Sequence, residues 1–164
     1  MEEIEIRQAF TDDLDAAAEI ESACFPKEQA ASRESLKQRI KMFGPSFMVA
    51  QLCGSGKVVG FINGTVSNDR VISDAMYETT TYNPRGDYQM IFGLDVLPEY
   101  QKQGIARLLM EAMIRLAWEE GRRGLVLTCR EQLVEFYEQF GYVNEGVSDS
   151  VHGGVVWYDM RLDF

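Results

Sequence analysis

A strand, a tight turn and an amphipathic helix follow one another between Tyr88 and Glu119, and this succession constrains the fold most. The apolar residues from Tyr88 to Leu97 predict a strand that ends at a Pro98-Glu99 turn. Apolar side chains then recur at helical spacing on one face: Ile105, Leu108, Leu109, Ala112, Met113, Leu116 and Ala117. Unpaired N–H groups and the helix dipole favour anions at such a turn, so the segment predicts a phosphate site.

The turn itself reads Gln101-Lys102-Gln103-Gly104-Ile105-Ala106. Neither the Gly-x-Gly-x-x-Gly dinucleotide pattern nor the Gly-x4-Gly-Lys-Ser/Thr loop is present. Gly104 and Ala106 leave room for a ligand that approaches the backbone closely. Lys102 and Arg107 add positive charge next to that backbone, which suits an anion.

Two blocks of the sequence match a known family. Gln101-x-x-Gly104-x-Ala106 after a strand resembles the Arg/Gln-x-x-Gly-x-Gly/Ala pyrophosphate loop of the GNAT superfamily of N-acetyltransferases. The block from Val126 to Tyr142 is similar to the closing strand and helix of that family. Its Cys129, Leu133, Phe136-Tyr137 and Phe140-Gly141-Tyr142 are most similar to the arylalkylamine N-acetyltransferase branch. The resemblance covers residues 88 to 142.

This resemblance implies the fold class, an α/β (α+β) GNAT fold. We expect a single mixed, mostly antiparallel, seven-stranded sheet, flanked by about four helices, with a cofactor cleft between the central strands. Residues 1–164 would form one acetyltransferase domain, because the chain contains no repeat, low-complexity tract or linker that would indicate a second one.

The residue patterns place the remaining elements. They predict a first strand at residues 3–8, helices at about 14–24 and 32–44, and a hairpin of residues 47–51 and 58–66. Residues 67–86 are polar and irregular, and a loop of this length in a compact domain is often functional. Closing strands are expected at 142–148 and 155–162.

The resemblance also implies a cofactor and its contacts. The pantetheine arm of acetyl-CoA would pair with the backbone of Leu94, Asp95 and Val96. The pyrophosphate would lie over the turn and the first helical residues: Lys102, Gln103, Gly104, Ile105, Ala106 and Arg107. Tyr137 occupies the position of the family's general acid. A phenol, whose reference pKa is about 10, keeps its proton at neutral pH and can donate it to the departing thiolate.

The position of the general base is where this chain departs from the family. The arylalkylamine branch has histidines eleven and nine residues before the first residue of the loop, where this chain has Met90 and Phe92. Other branches place a glutamate at the first of these positions. Ordered water, or a carboxylate from Glu28, Glu78 or Asp87, would then have to deprotonate the amine.

The wall of the amine site is expected to be apolar, because Met90 and Phe92 alternate onto one strand face with Tyr88. Such a wall favours an aromatic or long alkyl amine. His152, the one histidine of the sequence, lies in the final hairpin and is a minor candidate for the base. The substrate-binding candidates are therefore Phe25, Glu28, Met90, Phe92 and His152.

The three cysteines, Cys24, Cys53 and Cys129, do not have metal-ligand spacing, and we expect no metal site. Cys129 has no histidine partner and lies in an apolar strand, where thiols are usually inert. We therefore expect the acetyl group to move directly from acetyl-CoA to the amine.

Charge and hydropathy bear on partners and location. The net charge of −10 argues against nucleic acid and favours a cationic small-molecule amine. No apolar run approaches the ~20 residues that cross a bilayer, so no membrane association is expected. The acidic N-terminus and the unpaired cysteines predict a cytoplasmic protein. The sequence leaves the oligomeric state open, and a homodimer is one of the alternatives.

Two other functions remain open. One is acetylation of a protein or peptide N-terminus, although Thr128-Cys129-Arg130-Glu131-Gln132 replaces the Ser-Asn-x-x-Ala stretch of ribosomal-protein N-terminal acetyltransferases. The other is a non-catalytic acyl-CoA-binding regulatory module, which the residues at Met90 and Phe92 keep open. Turnover separates both from a small-molecule N-acetyltransferase.

Overall fold

The computed structural model describes residues 2–78 and 81–164. These residues form two compact units, the first from residues 2–64 and 93–113 and the second from the described parts of 65–92 and 114–164. The helices and strands, in chain order, are β1 (Ile4–Gln8), α1 (Leu14–Cys24), α2 (Arg33–Phe43), β2 (Phe47–Leu52), β3 (Val58–Asn63), β4 (Val66–Ser67), α3 (Asp74–Glu78), β5 (Tyr88–Ile91), β6 (Gly93–Val96), α4 (Ile105–Glu119), β7 (Gly124–Cys129), α5 (Val134–Glu138), β8 (Val143–Val147) and β9 (Tyr158–Asp163).

The helices begin and end where the sequence signals predict. Ser32 caps α2, and its side chain accepts a hydrogen bond from the N–H of Ser35. Phe25, next to Pro26, is the extended residue that ends α1. In α4, Ile105, Leu109 and Met113 of the predicted apolar stripe are buried, whereas Leu108 of that stripe is exposed and Met110 is buried.

The first unit is an antiparallel sheet with helices packed on it. Its strand order is β1-β2-β3-β6, so β6 is an edge strand. Each neighbouring pair is antiparallel. Helix α1 contacts α2, β3 and β6. The interior of this unit contains large, fully buried side chains, among them Ile20, Leu36, Phe43, Phe47 and Phe61.

The second unit is a mixed sheet with the order β4-β5-β7-β9-β8. The β5–β7 pair is parallel, and the other three pairs are antiparallel. Ile72, Tyr88, Met90 and Val126 form a buried cluster, against which Met76, Tyr77 and Phe92 pack. Helix α3, within the predicted long loop, therefore contributes to this cluster.

The α+β class, the mostly antiparallel pairing and the main helices are confirmed. The expectation of a single seven-stranded sheet is wrong, because the strands form one sheet of four and one of five. Two predicted strands are each divided, after Asn63 and at Phe92. The parts on either side of Phe92 have different partners, since β5 pairs with β7 and β6 pairs with β3. An apolar run in the sequence does not show such an exchange of partners.

Within the described part of the chain, no helix is long and apolar enough to cross a membrane.

Candidate functional site

The turn between β6 and α4 has an unusual backbone. A short 3-10 turn, Pro98–Tyr100, leads into it. Lys102 and Gly104 then have positive φ angles of 61° and 86°. Gly104 is exposed, and no heavy atom lies within 4 Å of the place where its Cβ would stand. A ligand can therefore approach the backbone of Gly104 without displacing protein atoms.

Gly104 is also the start of α4, because its carbonyl accepts the N–H of Leu108 at 3.1 Å. A glycine has no side chain that could cap the N–H groups of the first helical turn, so a bound anion can accept from them. Ile105 is 1% exposed and offers only its backbone to such a ligand. Ala106 is partly exposed and Arg107 is exposed.

The turn is tied back to β6 through one carbonyl oxygen. Gln101 donates from Nε2 to the oxygen of Val96 at 2.9 Å, and the Cys24 thiol donates to the same oxygen at 3.2 Å. Burial raises the pKa of Cys24 to about 12, so this thiol keeps its proton and remains a donor. Gln101 thus fixes the position of the turn relative to β6.

The peptide groups of the three strand residues that are predicted to pair with the cofactor point toward two different sides of β6. The N–H of Leu97 bonds to Val59 of β3, and hydrogen-bonded residues alternate along an antiparallel pair. The peptide groups of Asp95 therefore face β3, and those of Leu94 and Val96 face the other edge of β6. Among the described residues, no strand pairs with that edge. The peptide groups of Leu94 and the N–H of Val96 therefore face this open edge, whereas the carbonyl oxygen of Val96 already accepts from Gln101 and Cys24.

The left-handed backbone of Lys102 leads to a test. A residue with a side chain loses about 1–2 kcal/mol in this conformation, and glycine does not. We expect Lys102→Gly to raise the free energy of unfolding by about 1 kcal/mol while it weakens acetyl-CoA binding, because the charge is lost. Lys102→Ala is the matched control: it removes the charge, keeps the strain and should not gain stability. Equal stability of the two variants in urea unfolding would contradict the backbone geometry.

Tyr137, the predicted general acid, lies in α5 and is 7% exposed. Its ring forms edge contacts with Phe136 at 5.2 Å and Tyr142 at 5.8 Å between centroids. Burial raises the pKa of Tyr142 well above its usual range. In β7, burial raises the pKa of Cys129 to about 12. A neutral thiol is a poor nucleophile, which agrees with direct transfer.

Four aromatic rings from distant parts of the sequence meet in the second unit. The ring of Tyr77 lies 4.8 Å from Phe92 and stacks on His152 at 5.5 Å, between centroids. Trp157 lies 6.1 Å from His152 and donates from Nε1 to its carbonyl oxygen at 2.7 Å. The hydroxyl of Tyr77 is 3.0 Å from that of Thr128. All four rings are partly exposed, and we call them the aromatic group.

The structure brings together some of the predicted substrate residues. Phe92 and His152 both contact Tyr77 in the aromatic group. Met90 is 0% exposed, so it supports Phe92 and Tyr77 from the core and has no surface for a ligand. Phe25 and Glu28 belong to the first unit, where Phe25 is partly exposed and Glu28 is exposed.

The three carboxylates that were considered as bases lie at exposed or partly exposed positions. Glu28 and Glu78 are exposed, and Asp87 forms a 3.8 Å ion pair with Arg123. The sequence analysis did not identify a different group, buried beneath β6: Glu21, Arg39 and Asp95. The available signal was a charged residue on the apolar stripe of each of the first two helices. No cluster of metal-binding side chains is present in residues 2–78 and 81–164.

Comparisons with known proteins relate this chain to one family and to solved structures of similar fold. A family model described as the Acetyltransferase (GNAT) family matches residues 14–142. The fold is similar to the loading GNATL domain of CurA from Lyngbya majuscula, with a TM-score of 0.85, 16% identity and 98% of each chain covered. It is also similar to the GphF GNAT-like decarboxylase in complex with isobutyryl-CoA, with a TM-score of 0.82, 19% identity and coverage of 97% and 98%.

The ribosomal-protein-S18-alanine N-acetyltransferase from Escherichia coli has a TM-score of 0.71 and 23% identity, over 98% of this chain and 94% of that chain. At these identities the solved structures show the fold alone. The substrate has to be argued from the residues of this chain.

Proposed function

The chain belongs to the acetyltransferase (GNAT) family, and we propose that it transfers an acetyl group from acetyl-CoA directly to the primary amine of a small aromatic substrate. The observation that carries the proposal is the turn before α4. There, open space at Gly104 and the left-handed backbone of Lys102 lie at the start of α4, directly after an edge strand, and this arrangement supports an anion site.

Acetyl-CoA fits this arrangement as an extended ligand. Its pyrophosphate would accept from the N–H groups at the start of α4, with Lys102 and Arg107 nearby. Its amide-containing arm would pair with the peptide groups of Leu94 and the N–H of Val96, as an added strand does at a sheet edge. With this strand pairing, the length of the cofactor arm along β6 would determine where the acetyl group lies.

The transfer needs a donor for the departing thiolate. We assign this role to Tyr137, whose phenol belongs to a short helix directly after β7. The amine attacks the thioester carbon, the carbon–sulfur bond breaks and Tyr137 protonates the sulfur. The neutral thiol of Cys129 supports a single transfer step without an acetyl-cysteine intermediate.

The aromatic group supports the substrate class. Ring faces stack on an aryl group, and they attract an ammonium through the cation–π interaction. The net charge of −10 attracts a cationic substrate further. An arylalkylamine combines both features, since it has a ring and a positive charge at neutral pH.

A substitution in the aromatic group tests that class. Phe92→Leu keeps an apolar side chain and removes the ring face. Loss of one aromatic contact, about 0.5–1.5 kcal/mol, should raise KM for an arylalkylamine roughly threefold to tenfold. KM for a short alkylamine and for acetyl-CoA should stay unchanged. Phe164→Leu, at an exposed ring in the last residue, is the control. An equal rise for both amines would contradict ring stacking.

The function itself is tested by thiol release from acetyl-CoA with a panel of arylalkylamines, polyamines, aminoglycosides and N-terminal peptides. We expect the highest kcat/KM with an arylalkylamine. Preference for a peptide would indicate an N-terminal acetyltransferase instead. Binding of acetyl-CoA without turnover on any amine would indicate the acyl-CoA-binding module.

A second candidate is decarboxylation of an acyl-CoA, since one protein of similar fold is a GNAT-like decarboxylase in complex with isobutyryl-CoA. The observation that favours it is the absence of a proton acceptor at Met90 and Phe92, because breaking a carbon–carbon bond to release CO2 requires no amine deprotonation. The assay is release of CO2 from malonyl-CoA with formation of acetyl-CoA. Release that is faster than transfer to any amine would make decarboxylation the function.

A further inference from the structure

Asp74, the first residue of α3, binds the loop that carries two rings of the aromatic group. Its side chain accepts two hydrogen bonds, one from the hydroxyl of Ser150 and one from the N–H of Val151 at 3.1 Å. The same Ser150 oxygen accepts the N–H of His152 at 3.2 Å. Hydrogen bonds to an ionised carboxylate are stronger than those to a neutral acceptor. A charged group therefore joins α3 to the residues directly before His152.

The loop that Asp74 binds comprises residues 148–157, between β8 and β9, and we call it the His152 loop. Its ends are joined, because the N–H of Ser148 donates to the carbonyl oxygen of Trp157 at 2.7 Å. Inside the loop, Ser148 Oγ accepts the N–H of Ser150 at 3.1 Å, and Trp157 Nε1 donates to the carbonyl oxygen of His152 at 2.7 Å. Consecutive hydrogen bonds thus connect Ser150 with both rings of the loop.

Helix α3 also supplies the ring on which His152 stacks. Asp74 and Tyr77 are three residues apart, so they lie on one face of the helix. The ring of Tyr77 stacks on His152, and its hydroxyl oxygen lies 3.0 Å from that of Thr128 in β7. Asp74 therefore holds the His152 loop next to a ring that is itself fixed on the sheet. All of these residues belong to the second unit.

The position of the His152 loop determines whether the four rings of the aromatic group lie together. A ligand that stacks on all of them binds only molecules in which the loop lies on α3. If the hydrogen bonds to Asp74 are lost, the fraction of such molecules falls, and the apparent affinity falls by the same factor. Saturating ligand restores the arrangement, so the effect is on affinity and not on the rate of the bound complex.

We propose that Asp74 is a positioning residue for the amine, because it holds the His152 loop on α3 and so completes a recognition site for an arylalkylammonium ion. The identity of this ligand rests on the proposed function. The ligand contacts the ring faces through stacking and the cation–π interaction, and Asp74 acts on it through the loop. A short alkylamine has no ring to stack, so Asp74 also determines the preference between the two kinds of amine.

The first measurement is the binding of phenethyltrimethylammonium, a cation that has a ring but no N–H to acetylate. The chain has two tryptophans, and Trp118→Phe, at a position that is 65% exposed, leaves Trp157 as the fluorescent tryptophan. In this background, Asp74→Ala should raise the Kd of the probe about tenfold and increase the quenching of Trp157 by acrylamide. Asp69→Ala is the control, since it removes an exposed carboxylate of the same unit and should change neither value.

Turnover gives the second readout. Asp74→Ala should raise KM for an arylalkylamine about tenfold, while kcat and the KM values for a short alkylamine and acetyl-CoA stay unchanged. Ser150→Ala should act in the same direction. The double variant should be no worse than Asp74→Ala, because both changes remove the same connection. Should Asp74→Ala fail to fold, Asp74→Asn decides: its amide oxygen can accept one of the two hydrogen bonds, and KM should rise about threefold.

The outcomes separate this inference from the proposed function. Unchanged probe binding and quenching in Asp74→Ala overturn the inference and leave the proposed function intact. An equal rise in KM for both amines indicates damage to the whole second unit and also overturns it. If wild type acetylates no amine but binds the probe in a manner that depends on Asp74, the proposed function fails and the role of Asp74 stands. A probe that does not bind to wild type overturns the inference.

Discussion

Gly104→Glu is expected to abolish binding of acetyl-CoA. The introduced carboxylate would stand in the space where Gly104 leaves the backbone open, and it would meet the negative pyrophosphate. Two unit charges 4 Å apart repel by about 1–4 kcal/mol between water and an effective dielectric constant of 20. The carboxylate also competes for the N–H groups at the start of α4, where acidic side chains are favourable by about 0.3–1 kcal/mol.

The measurement is the rise in Tm that acetyl-CoA causes. Ligand at a hundredfold excess over Kd stabilises the native state by about 2.7 kcal/mol, which corresponds to roughly 5–10 °C for a chain of this size. Wild type should show this shift and Gly104→Glu should show none. A folded Gly104→Glu that kept the full shift would mean that the cofactor binds elsewhere.

Two matched variants separate the causes. The φ of 86° at Gly104 strains any residue with a side chain by about 1–2 kcal/mol, so Gly104→Ala should unfold more easily but still bind. Gly104→Gln has the size of the glutamate without its charge. Binding by Gly104→Gln that exceeds binding by Gly104→Glu at least tenfold would identify repulsion as the larger effect. Equal loss in both would assign the effect to size.

Local patterns were sufficient to predict helices α1, α2, α4 and α5 and the turn, but not the short helix α3. The apolar stripe of α4, the Ser32 cap and the Pro98 turn each depend on residues close in sequence. These same features predict the anion site, because its residues are consecutive in the sequence. The site itself stays a prediction.

Such local patterns could not predict that two consecutive strands pair with different partner strands. The run from Tyr88 to Leu97 is mostly apolar and contains no proline, but its parts before and after Phe92 pair with different strands. Pairing also fixed which peptide groups are free, and so it excluded the backbone of Asp95 as a contact for the cofactor arm. Register is a non-local property, since it depends on β3 and β7 rather than on the run itself.

Residues that meet only through the fold were missed for the same reason. Tyr77 and Trp157 lie 15 and 65 residues from Phe92 in the sequence, and nothing local indicates that these rings belong to one group. The buried group of Glu21, Arg39 and Asp95 did leave a signal in the sequence, because Glu21 lies on the buried stripe of α1. A charged residue at a core position needs a partner, and the sequence alone does not name Asp95.

Tyr137→Phe is expected to reduce kcat by about 10²–10⁴-fold, the usual contribution of general acid catalysis. The substitution removes one hydroxyl from a side chain that is 7% exposed, and the ring contacts with Phe136 and Tyr142 can persist. Folding and the Tm shift caused by acetyl-CoA should therefore be preserved. A fall in kcat with unchanged cofactor binding is the signature of an interaction that acts in the transition state.

Tyr142→Phe is the matched control, since it removes a hydroxyl from the neighbouring ring of the same cluster. It should retain at least a third of the wild-type kcat. The effect of Tyr137→Phe should also depend on the leaving group: an acetyl thioester whose thiol is more acidic than CoA needs less protonation, so the loss should become smaller. A Tyr137→Phe enzyme that keeps more than about a third of kcat would make Tyr137 a packing residue of the second unit, and the thiolate would then leave unprotonated or take its proton from water.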